Sequence, residues 1–345
     1  MTYSLRDSIK VPAAVSALSF GSQGNLAVGS ADGSVRVYKL PSLKVLKAIR
    51  QLGDEVSSIC WLNNRDAQIG EICVASGRNA YSFNLDTEKL ILAPTDALVS
   101  LELGEDDEDV VNELNVNENK KYLSFSSDAG SVGIVDLSTR QITRMKTRHN
   151  SICDTVKFVP HRSSEIVSGG YDSAILHHDF FQRNLLSRFD ITAAALPSSG
   201  VSLSPPFVLS LALSPCGLIA AGTADGRIWL GAGGDKATNA PKRKKGRKWE
   251  GLQESEGTWI QVADGPIVAA AFTGETTLII STLLGRLVCY SVSYDNEGHL
   301  VANERWQSAV EAINKVNAIA VNQGSLVVGG LDEFGKGIAE VWSLD

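Results

Sequence analysis

The segment His149–Asp179, HNSICDTVKFVPHRSSEIVSGGYDSAILHHD, contains three short runs of strand-forming residues. The runs are Ile152 to Phe158, Glu165 to Gly169 and Ala174 to His178, and a Tyr171-Asp172 corner separates the last two. Short apolar and β-branched runs between turn residues are typical of antiparallel strands. The segment therefore predicts a small sheet of strands joined by tight turns.

Three polar residues of this segment are expected to hold the sheet together. Asp172, in the corner, can accept a hydrogen bond from one ring nitrogen of His149. The other ring nitrogen can face the hydroxyl of Ser168 on the middle strand. Because buried polar groups need such partners, the sequence predicts a buried network beside the corner.

The same pattern recurs along the whole chain. Each repeat has an alternating apolar run, a polar turn, a strand that ends in small residues, Asp-Gly or its remnant, and a last strand. A period near 40–50 residues is typical of a β-propeller or a solenoid. The sequence predicts an all-β, seven-bladed propeller with blades at 15–49, 56–92, 111–145, 152–190, 208–263, 267–306 and 316–344.

The last repeat stops after its third strand, whereas Tyr3 to Lys10 precedes the first repeat and has no other partner. We expect 2–10 to supply the missing fourth strand, because this closure removes exposed sheet edges. The alternatives are a different all-β repeat or two stacked β domains. They are disfavoured because Asp-Gly corners recur at the same place in the repeat.

The corner GTADGRIWL, with Asp225 and Trp229, and the His-Ser-Asp trio together resemble the WD-repeat family. The resemblance implies a WD-repeat propeller that serves as a protein-interaction scaffold. In that family a Trp on the third strand usually completes the trio, and His178 takes this position here. The implied structural network is His149, Ser168, Asp172 and His178.

One group within this family is similar to the region 111–173 of the chain. The shared features are the SSDAG corner at 126–130, the phrase HNSIC at 149–153 and the V-x-F-x-P-x-R pattern at 156–162. Members of the group are regarded as candidate substrate receptors of the cullin-4 ubiquitin ligase, held through its adaptor. Such receptors often carry a Trp-Asp-x-Arg phrase at a blade end. The corresponding positions of this chain depart from the phrase, at 135–138, 178–181 and 342–343.

Partner-binding positions are also implied by the family resemblance. They lie on the top face, with two at the start of each inner strand and one just before the corner Asp. The implied residues are Ile152, Asp154, Tyr171, Glu55, Val110, Asn112, Phe207, Leu209, Lys315 and Asn317. Apolar anchors mixed with carboxylates suit a peptide that presents a hydrophobic and a basic residue.

An acidic segment precedes the third repeat and, by the resemblance, belongs on the same face. Its five consecutive carboxylates are Glu105, Asp106, Asp107, Glu108 and Asp109. Like charges repel one another, so we expect these side chains to stay solvated or to meet a basic partner. The two interpretations are a solvated loop and an acidic rim that steers a basic peptide.

A basic insertion at 236–256 interrupts the fifth repeat. It contains Lys242, Arg243, Lys244, Lys245, Arg247 and Lys248. Three interpretations stay open: a nuclear-import signal, an RNA or phosphate contact, and a solvated loop. The neighbouring Trp249 could stack on a base, although one aromatic residue is weak support for RNA binding.

Composition limits the partners and the compartment. The chain of 345 residues is 43% hydrophobic with a net charge of −7, which disfavours nonspecific binding to DNA or an anionic membrane. Its five scattered cysteines fit reduced, buried thiols better than disulfides or a zinc site. No apolar signal core or membrane-spanning run is visible, so we expect the nucleus or the cytoplasm.

Catalysis is not expected. His177 and His178 are adjacent on a strand, so their side chains point to opposite faces and cannot share a ligand site. Ser168 lies within a sheet rather than on an exposed elbow, which disfavours a hydrolase triad. No phosphate-binding loop or dinucleotide fingerprint is present. We therefore expect no catalytic residue, metal or cofactor.

Two functions remain as hypotheses. The first is a substrate receptor of a cullin-4 ubiquitin ligase, which would bind the ligase adaptor. The second is an assembly factor or dedicated chaperone for a basic nuclear or ribosomal client protein, favoured by the acidic rim. In either case we expect the chain to be monomeric outside its complexes.

Overall fold

The computed structural model describes residues 2–62, 69–192, 204–232, 248–322 and 324–345. The strands of these residues form seven sheets, the blades of a β-propeller, and the predicted fold class is confirmed. The chain divides into two compact units. The first consists of Met1–Ala129, Gly133–Thr143 and Ala309–Asp345, and the second of Gly130–Val132 and Arg144–Ser308.

The first half of the chain supplies blades one to three and one strand, β1, of the last blade. Its strands are β1 (Tyr3–Val11), β2 (Val15–Phe20), β3 (Asn25–Ser30), β4 (Val35–Lys39), β5 (Lys44–Ile49), β6 (Val56–Trp61), β7 (Glu71–Ser76), β8 (Asn79–Asn84), β9 (Ile91–Leu92), β10 (Val99–Glu102), β11 (Val111–Val116), β12 (Tyr122–Ser127), β13 (Val132–Asp136) and β14 (Ile142–Arg144).

The second half supplies blades four to seven. Its strands are β15 (Cys153–Phe158), β16 (Glu165–Gly170), β17 (Ala174–Asp179), β18 (Asn184–Asp190), β19 (Val208–Leu213), β20 (Leu218–Thr223), β21 (Arg227–Ala232), β22 (Thr258–Gln261), β23 (Ile267–Phe272), β24 (Thr277–Thr282), β25 (Arg286–Tyr294), β26 (Leu300–Ala309), β27 (Lys315–Asn322), β28 (Ser325–Leu331) and β29 (Gly337–Leu344). Short 3-10 turns occur at Ser22–Gly24, Pro94–Asp96 and Glu254–Glu256.

The N-terminal strand completes the last blade, in the order β1-β29-β28-β27. β1 runs antiparallel to β29, from Tyr3 opposite Leu344 to Val11 opposite Gly337. Tyr3, Ile9 and Val11 are buried, so the strand contributes core side chains as well as backbone hydrogen bonds. The strand predicted at 2–10 is present and extends to Val11.

Blade two differs from its predicted range of 56–92. The fourth strand of this blade is β10, which pairs with β8, so the blade extends to Glu102. Ile91 and Leu92, which the sequence prediction places at the end of blade two, form β9 instead. This strand pairs in parallel with β5 of blade one. Leu92 is buried in the core there, and the Lys47 ammonium donates to the carbonyl of Lys89 at 2.9 Å. The prediction was wrong because these contacts hold the segment on the neighbouring sheet.

The small residues at the end of each middle strand have a steric cause. In four blades a Cβ added to a glycine there would overlap the first residue of the next inner strand. The pairs are Gly29 with Val56 (2.5 Å), Gly329 with Val15 (2.6 Å), Gly169 with Val208 (2.4 Å) and Gly222 with Ile267 (2.7 Å). Glycine therefore lets each of these blades pack closely against the next one.

Every inner strand carries a register shift after its first residue, or in β27 after its second. The shifted positions are Ser16, Ser57, Asn112, Asp154, Leu209, Val268 and Asn317. Such a bulge re-aims the side chain of the extra residue. Four of these residues, Asn112, Asp154, Leu209 and Asn317, are among those that the sequence placed on the top face, so the bulge decides where those side chains point.

Candidate functional site

The polar trio of blade four forms the predicted hydrogen bonds. His149 Nδ1 lies 2.8 Å from Asp172 Oδ1, and His149 Nε2 lies 2.9 Å from Ser168 Oγ. A carboxylate can only accept, so His149 Nδ1 carries a proton and donates it to Asp172. The second oxygen of Asp172 accepts from the backbone amide of Asn150 at 3.0 Å.

Burial and hydrogen bonding shift the pKa of Asp172 in opposite directions. Burial raises the pKa of its carboxyl, but the hydrogen bonds from His149 and the Asn150 amide, with the charge of Arg188, outweigh burial. The pKa of Asp172 is therefore lower than its ordinary value. Ser168 is fully buried in β16, where its hydroxyl has no room for a substrate. This geometry suits a structural trio rather than a nucleophile and its base.

His178 does not join the trio, contrary to the prediction. Its Nε2 lies 3.2 Å from the carbonyl oxygen of Thr147, and its Nδ1 has no hydrogen-bond partner among the described residues. Ser168 stands opposite Leu176 in the sheet, whereas His178 stands opposite Ile166, two pairs further along. Burial, together with the nearby His149, lowers the pKa of His178 to about 4. The ring is therefore neutral at physiological pH.

A second polar network lies beside the trio, and the sequence did not reveal it. His177 Nε2 lies 2.8 Å from Glu165 Oε2, and His177 Nδ1 lies 3.0 Å from Ser187 Oγ. The backbone amide of Trp249 donates to the same Glu165 oxygen at 2.8 Å. Burial raises the pKa of Glu165, but these two hydrogen bonds and the charge of Arg162 lower it below its ordinary value.

Trp249 is not available to stack on a base. Its side chain is 2% exposed, its indole nitrogen donates to the carbonyl of Gly217 at 2.9 Å, and its ring meets His177 edge to face. The suggestion that Trp249 stacks on a base is therefore wrong. The only sequence signal was a single Trp beside a basic run, which does not distinguish an anchor from a binding residue.

The basic insertion is described only at its C-terminal end. Lys248 donates from its ammonium to the carbonyl of Leu186 at 3.1 Å, and its own carbonyl accepts from Arg162. Lys248 therefore takes part in anchoring the insertion to blade four. The other predicted import-signal residues, Lys242, Arg243, Lys244, Lys245 and Arg247, lie outside the described residues.

The rim of blades four and five carries an aromatic pair. The rings of Tyr171 and Phe207 stack with centroids 5.2 Å apart and planes 7° apart, and both residues are half-buried. Tyr171 donates from its backbone amide to the carbonyl of Ile152 at 2.8 Å, which places Ile152 beside the pair. Asp154 and Leu209 occupy the bulges of the same two blades and are also half-buried.

Some of the other predicted rim residues have structural hydrogen bonds. Asn317 donates to the carbonyl of Val15 at 2.8 Å, and Asn112 donates to Asp128 at 2.9 Å. Ser16 in the corresponding bulge of blade one donates to the carbonyl of Val56. Asn317 and Ser16 therefore link one blade to the next. Three predicted rim residues of the first unit remain. Glu55 and Lys315 are exposed, and Val110 is half-buried.

The acidic segment is solvated only in part. Asp109 is 4% exposed, and its two oxygens accept from the backbone amides of Ala129 at 2.8 Å and Glu105 at 2.7 Å. The expectation of a solvated Asp109 was wrong, because backbone donors stabilise its buried carboxylate. Arg78 forms a salt bridge with Asp107. The side chains that remain exposed belong to Glu105, Asp106, Asp107 and Glu108.

Neither a metal cluster nor a membrane helix is found in the parts of the chain that the structure describes. No group of three or more His, Cys, Asp or Glu side chains in these parts could hold a metal ion. No helix in them is long and apolar enough to cross a membrane.

Comparison with known proteins agrees with the blade geometry. The family model for the WD domain, G-beta repeat, matches residues 5–39, which cover most of β1 and all of β2 to β4. The chain contains a WD repeat at these residues. It is similar to the WD repeat-containing protein 53 homolog of Dictyostelium discoideum, with 24% identity over 203 residues. The match covers 54% of the chain and 52% of that relative, so it spans about half of each.

Proposed function

We propose that this protein is a non-catalytic WD-repeat scaffold that binds a partner peptide at the rim of blades four and five. The observation that carries the proposal is the stacked pair of Tyr171 and Phe207 with Ile152 beside it. Aromatic residues held by their neighbours provide contact area at a low entropic cost and are enriched among residues that dominate binding. The partner is expected to present an apolar side chain to this pair.

The first candidate assembly is a cullin-4 ubiquitin ligase, in which the chain would be a substrate receptor. It is favoured by the similarity to the WD repeat-containing protein 53 homolog, together with the group resemblance noted in region 111–173. The expected Arg of the receptor phrase is replaced by Phe181, which is 59% exposed. Contact with the adaptor would therefore use an apolar side chain at this place.

The second candidate is a chaperone or assembly factor for a basic client protein. It is favoured by the exposed carboxylates of Glu105, Asp106 and Glu108 and by the net charge of −7. A potential of this sign accelerates the encounter with a Lys- and Arg-rich partner, and added salt weakens the effect. Such a client would be recovered in stoichiometric amount.

Affinity purification of the full chain from cells, followed by mass spectrometry, tests both candidates. Recovery of the ligase adaptor supports the receptor function, and a stoichiometric basic protein supports the chaperone function. The double variant Tyr171→Ala/Phe207→Ala is expected to lose the substrate or client in either case. Phe334→Ala is the matched control, because it removes an exposed aromatic side chain elsewhere on the chain. Retention of every partner by the double variant would contradict binding at this rim.

Localisation in the nucleus or the cytoplasm is a separate proposal. It depends on the basic insertion, whose central residues are Lys242, Arg243, Lys244 and Lys245. Replacing these four by alanine should exclude the chain from the nucleus if they form an import signal. Unchanged distribution of the variant would leave RNA contact or a solvated loop as the role of the insertion.

A further inference from the structure

Cys60 and Cys73 stand directly opposite each other in blade two. They pair across the antiparallel strands β6 and β7, between the pairs Ile59 with Val74 and Trp61 with Ile72. Opposite residues in such a ladder have Cα atoms about 4.5 or 5.5 Å apart. A disulfide needs Cα atoms roughly 4.4 to 6.8 Å apart, so the backbone already meets this requirement.

The two thiols also face each other on one side of the sheet. They form a side-chain hydrogen bond, which, with burial, raises the pKa of Cys73 well above its ordinary value. Cys60 is 7% exposed and Cys73 is 4% exposed, and both belong to the core cluster that includes Leu114. The sulfur atoms are therefore placed for direct reaction, and Cys60 is the more accessible of the two.

A basic group lies next to Cys60. The ammonium of Lys120 donates to the carbonyl of Trp61 at 3.0 Å, and its charge interacts with the Cys60 thiol. A neighbouring cation stabilises negative charge that develops on a sulfur atom. This placement favours Cys60 as the attacking sulfur. The other cysteines, Cys153, Cys216 and Cys289, lie in blades four, five and six, one in each blade.

We propose that Cys60 and Cys73 form a reversible intramolecular disulfide when the chain meets a hydroperoxide. The Cys60 thiolate attacks the terminal oxygen of the hydroperoxide, so an S–O bond forms, the O–O bond breaks and an alcohol or water leaves. Cys73 then loses its proton and attacks the sulfur of Cys60, and the S–O bond breaks with release of water. Two thiols are oxidised by two electrons in total, and the hydroperoxide is reduced.

The disulfide would join two neighbouring strands of blade two, β6 and β7. It closes a loop over residues 61–72 and so restricts the unfolded chain. A small thiol reductant, or a dithiol protein of the thioredoxin class, would reverse it. In a reducing compartment the reduced pair would be the resting form. This inference does not depend on the proposed binding function.

The test uses the full chain with Cys216→Ser, which removes the exposed thiol. The folded protein is treated with hydrogen peroxide, and thiols are counted after denaturation and alkylation. The count is expected to fall from four to two, and peptide mapping is expected to find Cys60 joined to Cys73. Dithiothreitol should restore the count to four. Peroxide treatment that leaves four thiols, or that produces only sulfinic acid, would overturn the proposal.

Two further variants of the Cys216→Ser chain distinguish disulfide formation by Cys60 and Cys73 from nonspecific oxidation of cysteines. With Cys73→Ser, Cys60 has no resolving thiol, so its sulfenic acid should accumulate and react with a dimedone probe. With Cys153→Ser, a buried cysteine of blade four is removed, and the Cys60–Cys73 disulfide should form as before. Absence of dimedone labelling at Cys60 in the Cys73→Ser variant, or loss of the disulfide in the Cys153→Ser variant, would contradict the assigned roles.

Discussion

His177 Nε2 lies 2.8 Å from Glu165 Oε2, in contact with the buried ring of Trp249. The same Glu165 oxygen accepts the backbone amide of Trp249. A residue at the end of the basic insertion is thus fixed by two residues of blade four. This anchor holds the C-terminal end of the insertion against blade four.

Removal of the Trp249 side chain should destabilise the protein. Trp249→Ala leaves a cavity among buried residues and is expected to cost about 3–5 kcal/mol in the free energy of unfolding. Trp249→Phe keeps most of the ring but loses the hydrogen bond to Gly217, so its cost should be smaller. Denaturant unfolding measures both. Equal stability of the wild type and Trp249→Ala would show that the anchor contributes nothing.

Stability should depend on pH through His178. The pKa of this ring is about 4 when folded and about 6.5 when unfolded, so the unfolded chain binds the proton more readily. Stability is therefore complete above about pH 6.5 and falls as the pH decreases toward 4, by up to roughly 3 kcal/mol. His178→Phe should remove this slope. Melting temperatures across the interval provide the measurement, and an unchanged slope would contradict the assignment.

The carboxyls of Glu165 and Asp172 should affect stability in a lower pH range than His178. Because their folded pKa values are lower than the ordinary ones, their contribution is present above the unfolded pKa and is lost as the pH falls through the folded pKa. We expect Glu165→Gln to show a shallower loss of stability below about pH 4 than the wild type. Acid titration followed by circular dichroism tests this, with Glu304→Gln as an exposed control.

The trio of blade four should be needed for stability. His149→Ala leaves Ser168 and Asp172 buried with one hydrogen bond fewer each, and we expect a cost of about 2–4 kcal/mol. His299→Ala removes an exposed ring and should cost less than about 0.5 kcal/mol. Thermal unfolding of the two variants decides the matter. A similar loss in both would mean that the trio has no special role.

Closure of the last blade can be tested with neighbouring residues of β1. Ile9→Ala removes a buried side chain and should cost about 2–5 kcal/mol, whereas Lys10→Ala should have little effect. Deletion of 2–10 removes the pairing with β29 altogether and should lower the melting temperature much more than an ordinary frayed terminus. A deletion variant that melts like the full chain would contradict closure by this strand.

The sequence predicted most of the fold because the relevant signals are local. Alternating strands, Asp-Gly corners and glycine at the end of the middle strand recur within each repeat, so the blades and the closing strand could be recognised. The end of blade two could not, because Leu92 leaves the pattern to pack on blade one. The trio was also predictable, since its members lie within 23 residues of one another.

Only the tertiary structure decided the environments of Trp249, His178 and Asp109. Glu165 and Trp249 are 84 residues apart, and no local pattern indicates that such a carboxylate will meet such an amide. The same holds for the contact of the His178 ring with the Thr147 carbonyl and for the hydrogen bond that Asp109 accepts from the Ala129 amide. The sequence thus determined which strands form, through short-range periodicity and sterics. Folding determined which polar groups are buried together, because partners distant in sequence set the hydrogen bonds and the local charge.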